Sequence, residues 1–102
     1  MRIILFFDLP LKTKKDRKCY SEFRKRLIKK GFFMIQYSVY TKILANRDSA
    51  MKEKEMIKKI VPEKGHVRIM LVTEKQYSKM EIIIGGKSNQ ELVINEEVLI
   101  II

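Results

Sequence analysis

A short apolar run near the start of the chain is followed at once by a long basic segment, and this succession constrains the fold most strongly. Residues 3–7 are all aliphatic or aromatic, and Asp8-Leu9-Pro10 ends the run. A β-branched and aromatic run of this length, bounded by a turn signal, predicts a buried strand. Residues 12–30 then carry ten Lys or Arg against two acidic residues, a net charge of +8. The first segment therefore belongs in a core and the second at the surface.

The basic segment has the sequence signals of an amphipathic helix. Thr13 and Asp16, three residues apart, predict a capping box at its start, and Gly31 predicts its end. On a 3.6-residue repeat one side forms an apolar arc, expected to pack on a sheet, of Cys19, Tyr20, Phe23 and Leu27. The opposite side forms what we call the cationic ridge: Lys14, Arg17, Lys18, Arg24, Lys25 and Lys29.

The cationic ridge favours a polyanionic partner, although a simply solvated helix face is the alternative interpretation. Two acidic residues cannot neutralise ten basic ones through i,i+4 pairs, so a polyanion would relieve the repulsion. The chain has no zinc-finger, paired-helix or RNP-type signature, which predicts binding to phosphate backbone rather than to base edges. The residues expected to contact nucleic acid are Lys14, Arg17, Lys18, Arg24 and Lys25.

The remaining segments predict a single α+β domain over residues 1–86. An extended stretch at 32–43 (one bent strand or two) is followed by a helix at 47–60, which Asn46 caps. A strand at 67–73, a turn or single helical turn at 74–79 and a strand at 80–84 complete the domain. We expect Ala50, Ile57 and Ile60 to face inward from the second helix. This order predicts a sandwich in which one mainly antiparallel sheet carries both helices on one face.

Residues 87–102 differ in character from this core and are treated as a separate C-terminal segment. The segment ends in five consecutive aliphatic residues at 98–102. These residues either fill the open edge of their own sheet or add to the sheet of a second copy. We favour the second copy, related by twofold symmetry.

Composition excludes several other classes of protein. Apolar residues make up 46% of the chain, too many for intrinsic disorder. A lone cysteine, Cys19, excludes an internal disulfide and a zinc site built on paired cysteines, and we expect it to act as a small buried hydrophobe. No apolar run approaches the length of a membrane span, and residues 3–7 are too few for a signal-peptide core. We therefore expect a soluble, cytoplasmic protein without a membrane partner.

Asp8 is the main candidate for chemistry. A carboxylate at the end of an apolar strand either caps a turn or binds a metal ion. Magnesium uses one or two carboxylates together with waters and phosphate oxygens, so two Asp8 side chains at a dimer axis would suffice. His66 is interpreted as an ordinary surface residue, and neither the P-loop pattern nor GxGxxG occurs.

Several of these residues, at their spacing, resemble one known family. The strand end Phe7-Asp8-Leu9-Pro10, then Arg17, Phe23, Leu27 and Gly31, then Gln36-Tyr37-Ser38-Val39-Tyr40, resembles the Cas2 proteins of CRISPR adaptation modules. The run Thr73-Glu74-Lys75-Gln76-Tyr77 is similar to the branch that accompanies single-effector systems. The resemblance covers residues 1–86.

The resemblance implies a ferredoxin-like fold, a homodimer, and an Asp8 pair that holds Mg²⁺ (or Mn²⁺). It implies a scaffold that cradles duplex DNA for the CRISPR integrase (Cas1 family) during spacer acquisition, and this is the function we expect first. It also implies a metal-dependent endonuclease on RNA or duplex DNA, with Asp8 as the catalytic residue and Ser38 supporting the site by hydrogen bonding. The chain has no second acidic ligand near Asp8 in sequence, which leaves catalysis the weaker expectation. A ferredoxin-like RNA-binding or toxin-type protein is a third possibility.

Overall fold

A computed structural model describes residues 1–86 of the chain. The elements are β1 (Arg2–Asp8), α1 (Lys14–Lys29), β2 (Phe33–Gln36), β3 (Val39–Ile43), α2 (Arg47–Lys58), β4 (His66–Val72) and the short α3 (Glu74–Ser78). Residues 87–102, and with them the predicted pairing of 98–102, lie outside the described part. Within that part no helix is long and apolar enough to cross a membrane.

The four strands form one antiparallel sheet in the order β2-β3-β1-β4. The central strand β1 places Leu5 opposite Tyr40 of β3 on one side and opposite Ile69 of β4 on the other. A βαββαβ chain with this strand order has the ferredoxin-like fold. The predicted fold class, α+β with a mainly antiparallel sheet, is confirmed.

The core lies between the sheet and the two long helices. Alternate residues of β1 point into it, because successive side chains of a strand point to opposite faces. They form one buried cluster with side chains from both helices: Ile3, Leu5 and Phe7 of β1, Phe23 and Leu27 of α1, and Ala50 and Ile57 of α2. Both helices therefore cover the same face of the sheet, as predicted, and Ile60 packs against the cluster as a partly buried residue.

The helices begin where the capping signals predict. Thr13 accepts a hydrogen bond from the backbone of Asp16 at 3.0 Å, and the Asp16 carboxylate accepts one from the backbone of Thr13 at 3.2 Å. Asn46 caps α2 by accepting from the backbone of Ser49. Gly31, with φ of 95°, follows the end of α1 in a conformation that favours glycine. The stretch 32–43 forms two strands joined by a tight hairpin.

The short helix α3 is attached to the other face of the sheet, at the end where β1 begins. The side chain of Arg2 is 2% exposed, and its Nε donates to Oε1 of Glu74 at 2.7 Å. The Arg2 guanidinium also lies 3.6 Å from the centre of the Tyr77 ring. The residues at 74–79, predicted as a turn or one helical turn, thus form a helix anchored by a buried cation.

Two predictions are wrong. Residues 80–84 do not form a strand, and the side chains of Ile83 and Ile84 are both 92% exposed. The run has strand-like residues, but within residues 1–86 no neighbouring strand pairs with it. Cys19 is exposed rather than buried, because it lines an open groove between α1 and the segment 60–64.

Candidate nucleic-acid interface and Asp8 site

Asp8 is the last residue of β1, and the structure places it at an exposed corner of the sheet. In the antiparallel register Asp8 lies opposite His66, the first residue of β4. Both residues are exposed. Asp8 shares its face of β1 with Phe6, the face that points away from the two long helices. A carboxylate and an imidazole therefore share one strand end, although 58 positions separate them in the sequence.

A shallow depression of about 470 Å³ surrounds Asp8. The hairpin between β2 and β3 forms one wall and the start of β4 forms the other. The lining residues are Phe6, Phe7, Asp8, Tyr37, Ser38, Val39, His66 and Arg68. The depression brings together the predicted residues Asp8 and Ser38, and it adds three polar side chains that sequence analysis did not assign to a site: Tyr37, His66 and Arg68.

Gly65 allows the chain to pass very close to Asp8. Its φ is +101°, and a Cβ atom built on it would lie 2.7 Å from the carbonyl oxygen of Asp8 and 2.8 Å from Cδ2 of Leu9. Any side chain at this position would push apart the end of β1 and the start of β4. Gly65 therefore maintains the pairing that puts His66 opposite Asp8.

Ser38 fixes the position of the hairpin wall. Its φ of 60° is unusual for a residue with a side chain. Its carbonyl oxygen accepts a hydrogen bond from the backbone N–H of Phe7 at 3.1 Å, and its Oγ lies 3.3 Å from the hydroxyl of Tyr20. Ser38 is thus hydrogen-bonded both to the strand that carries Asp8 and to helix α1.

Tyr37 stands beside Ser38 at the tip of the hairpin. Its ring is stacked on that of Tyr20, with centroids 6.3 Å apart and planes inclined by 21°. A hydrogen bond with the Tyr20 side chain raises the pKa of Tyr37, because the bond favours the neutral phenol. The two tyrosines link α1 to the hairpin.

A divalent cation fits this site in one specific way. No three side chains of His, Cys, Asp or Glu converge within residues 1–86, so a metal cage made by one chain is absent from this part of the molecule. Asp8 offers one exposed carboxylate, a hard oxygen ligand of the kind Mg²⁺ prefers. The residues present therefore offer Mg²⁺ one ligand, and an ion held by Asp8 would take its other ligands from water, phosphate oxygens or a second carboxylate.

The cationic ridge is exposed along its length. All six ridge residues are exposed, whereas Phe23 and Leu27 on the opposite side are buried. Arg24 donates through Nε to the hydroxyl of Tyr40 at 3.0 Å. Arg17 donates through Nη1 to the carbonyl oxygens of Leu11 and Lys12, at 3.3 and 3.2 Å. Arg17 and Arg24 therefore border the apolar arc beside Tyr20, and the prediction that they lie opposite this arc is wrong. Both arginines leave further N–H groups for a phosphate.

Comparison with known proteins identifies relatives of the whole described domain. Residues 1–80 match the model of the family described as CRISPR associated protein Cas2. The protein named CRISPR-associated endoribonuclease Cas2 from Treponema denticola is 50% identical over 104 residues, covering 99% of this chain and 100% of its own. Its namesake from Campylobacter jejuni is 49% identical over 96 residues, covering 94% of this chain and 67% of its own.

A solved structure shows the same fold. The crystal structure of Streptococcus pyogenes Cas2 at pH 6.5 superposes with a TM-score of 0.61, covering 81% of this chain and 99% of that one. The two sequences are 18% identical, so this likeness concerns the fold alone. It agrees with the ferredoxin-like topology described above.

Proposed function

The chain belongs to the family of CRISPR-associated protein Cas2, and from this premise we propose that it is a dimeric nucleic-acid-binding scaffold. In this role it works in the cytoplasm with the CRISPR integrase to capture and insert new spacers in antiviral defence. The observation that carries the proposal is the exposed cationic ridge on α1. The relatives from Treponema denticola and Campylobacter jejuni are named endoribonucleases, and this name supports a second candidate function.

The ridge suits the phosphate backbone of a duplex. Lys14 and Lys25 lie eleven residues apart on α1, which is about 16 Å along a helix at 1.5 Å per residue. Duplex DNA presents a phosphate about every 3.4 Å of axis on each strand, so the ridge spans several phosphates. Because Phe23 and Leu27 are buried against the sheet, Lys14, Lys18 and Lys25 on the other side of α1 face outward. Binding of this kind is salt-sensitive and nearly independent of base sequence.

The exposed apolar residues after α3 support a dimer. Ile82, Ile83 and Ile84 are 48%, 92% and 92% exposed. Three adjacent exposed isoleucines are unfavourable in water and mark a surface that a second chain would cover. Twofold pairing would also provide a second Asp8 and a second ridge. A scaffold with two ridges can hold one duplex against two integrase subunits.

Reversal of ridge charges tests the proposal. The variant Lys14→Glu, Lys18→Glu, Lys25→Glu should bind a 30-base-pair duplex more weakly by about tenfold or more, with a flatter dependence on salt. Its control reverses three exposed lysines elsewhere, Lys52→Glu, Lys59→Glu and Lys79→Glu, for the same change in net charge. Fluorescence anisotropy measures the affinity of both variants at salt concentrations from about 50 to about 300 mM, the range over which binding to phosphate backbone weakens most. Equal losses in the two variants would contradict a role for the ridge.

A metal-dependent endonuclease is the second candidate function, and the depression around Asp8 favours it. Mg²⁺ bound there would polarise a phosphodiester. Asp8 would hold the ion, and Arg68, in the same depression, would bind and orient the phosphate. Hydrolysis of a labelled RNA in Mg²⁺ should be abolished by Asp8→Asn and by a chelator, whereas salt-sensitive duplex binding should persist. Cleavage that survives Asp8→Asn would exclude this site as its source.

A further inference from the structure

Tyr37 is the most exposed aromatic side chain among the large hydrophobic residues of residues 1–86. It is 67% exposed, whereas the neighbouring Tyr40 is 1% exposed. A tyrosine in a core would bury most of its ring, and one left to solvent would usually be free to move. Tyr37 is exposed to solvent, yet one face of its ring is stacked on Tyr20.

One neighbouring side chain, Tyr20, contacts the Tyr37 ring. Tyr20 stacks against it, with ring centroids 6.3 Å apart. Tyr20 is itself held by Ser38 Oγ and by the ring of Phe7, whose centroid lies 5.8 Å away. The next residue in the chain, Ser38, is bonded to the backbone of Phe7. A ring already held on one side loses less conformational entropy when a second ring stacks on its open side.

The groups around Tyr37 are those that a nucleotide requires. Tyr37 forms a wall of the 470 Å³ depression that also contains Asp8 and Arg68. The exposed guanidinium of Arg68 supplies paired donors for a phosphate. A planar ring, a phosphate-binding cation and a carboxylate therefore lie within one concave surface.

We infer that Tyr37 is a stacking platform for one unpaired nucleobase of a single-stranded nucleic acid, with the adjoining phosphate at Arg68. The inference rests on the proposed function and specifies the substrate of the Asp8 site. Bases within a duplex are already stacked on their neighbours, so the platform accepts a base from a single strand or from a frayed end. Stacking on tyrosine is tolerant of sequence, since every base has a π-face.

The platform is continuous with the cationic ridge. On α1, Arg17 and Arg24 lie three and four residues from Tyr20, so both are its neighbours on the helix surface. Tyr20 in turn contacts Tyr37. A strand that follows the ridge would therefore reach Tyr37 before its backbone enters the depression beside Asp8.

Two oligonucleotides that differ only in their bases test the inference. One is a twelve-residue thymidine strand and the other is an abasic strand with the same number of phosphates, each labelled for anisotropy and used with the full chain. Tyr37→Ala should weaken binding of the thymidine strand about tenfold, which is the size of effect expected when one base loses its aromatic stacking partner. The same variant should bind the abasic strand as the unaltered protein does. Tyr37→Phe and Tyr37→Trp should retain the affinity for thymidine, because each keeps a planar ring.

The outcomes separate this inference from the proposed function. If Tyr37→Ala binds both strands like the unaltered protein, or loses the same affinity for both, Tyr37 does not stack on a base. Binding of the phosphate backbone by the ridge is not contradicted by that result. If Tyr37→Phe loses as much affinity as Tyr37→Ala, the hydroxyl rather than the ring matters, and the inference is also wrong. If the unaltered protein binds neither strand nor duplex, the proposed function fails and the platform fails with it.

Discussion

Asp8 and Gly65 lie so close together that the geometry of the candidate site depends on a residue with no side chain. The carbonyl oxygen of Asp8 occupies the space where a Cβ of residue 65 would be, at 2.7 Å. The backbone of Gly65 is also in a region that L-residues rarely adopt. The close approach and the positive φ both occur at the residue that precedes His66. A side chain at position 65 would therefore disturb the pairing of His66 with Asp8.

Gly65→Ala should therefore lower the free energy of unfolding by about 2 kcal/mol or more. It should also displace the end of β1, so that Asp8-dependent activity falls further than the loss of stability explains. Urea unfolding and the cleavage assay measure the two effects. Gly85→Ala is the matched control, because Gly85 also has a positive φ (+92°) and no atom of the described residues lies within 4 Å of its Cβ position. Equal stability of the two variants would contradict the close approach described here.

Only some residues of the depression could be predicted as site residues from the sequence. Asp8 could be predicted as a candidate because it ends an apolar run, and Ser38 because it belongs to a recognisable stretch. His66 and Arg68 could not, since they meet Asp8 and Phe6 through the register of β1 and β4, which no local pattern encodes. Cys19 was placed inward by helical periodicity, which does not show where a neighbouring element leaves a groove open.

Helix α1 is stabilised at its start by the reciprocal capping box of Thr13 and Asp16. The bond from the Thr13 backbone N–H lowers the pKa of Asp16 below its ordinary value of 3.8. A carboxyl whose pKa is lower in the folded state contributes stability above its unfolded pKa, and this contribution is lost as the pH falls through the folded pKa. The start of the ridge helix is thus weakened by acid.

Asp16→Asn should destabilise the protein at pH 7 and have a smaller effect at pH 3, because pH 3 lies below the ordinary pKa of 3.8 and the stabilisation by the ionised carboxylate is already declining there. Urea unfolding at the two pH values measures the difference. Glu22→Gln, an exposed acid on the same helix outside the box, should show no such pH dependence. A loss in Asp16→Asn of the same size at both pH values would contradict the role of the ionised carboxylate.

Helix α3 depends on the buried Arg2. Glu74→Gln removes the charge partner of a guanidinium that is 2% exposed, and it should lower the free energy of unfolding by about 2 kcal/mol. The comparison is Glu55→Gln, which breaks the Glu55–Lys58 pair, both of whose side chains are about 60% exposed, and which should change stability little. Chemical denaturation measures both variants. Equal effects would show that burial of Arg2 does not strengthen its ion pair.

The elements that the sequence predicts well are those with signals at their own ends. The caps of Thr13 and Asn46 lie within a few residues of the helices that they begin, so local reading finds them. The strand predicted at 80–84 fails for the opposite reason. A strand requires a partner edge, and the apolar residues of a segment show only that it is able to pair, not that its own chain supplies the partner.

At the scale of the whole molecule, the positive charge is unevenly distributed along the chain. Residues 12–30 carry +8 of the net charge of +10, whereas the most exposed isoleucines of residues 1–86 follow α3. The order of segments and the net charge could be predicted from the sequence, because short apolar runs and capped helices alternate along the chain. The relation between the ridge and the Asp8 depression could not be predicted, because the Tyr20–Tyr37 contact that joins them exists only after the hairpin has packed on α1.

The most direct test of the account is the insertion of a short DNA duplex by the CRISPR integrase in the presence of this protein. The reaction is compared without the protein, with it, with Asp8→Ala, and with the ridge variant Lys14→Glu, Lys18→Glu, Lys25→Glu. The account predicts equal stimulation by the unaltered protein and Asp8→Ala, and little by the ridge variant. Absence of stimulation by the unaltered protein, or full stimulation by the ridge variant, would contradict the scaffold function.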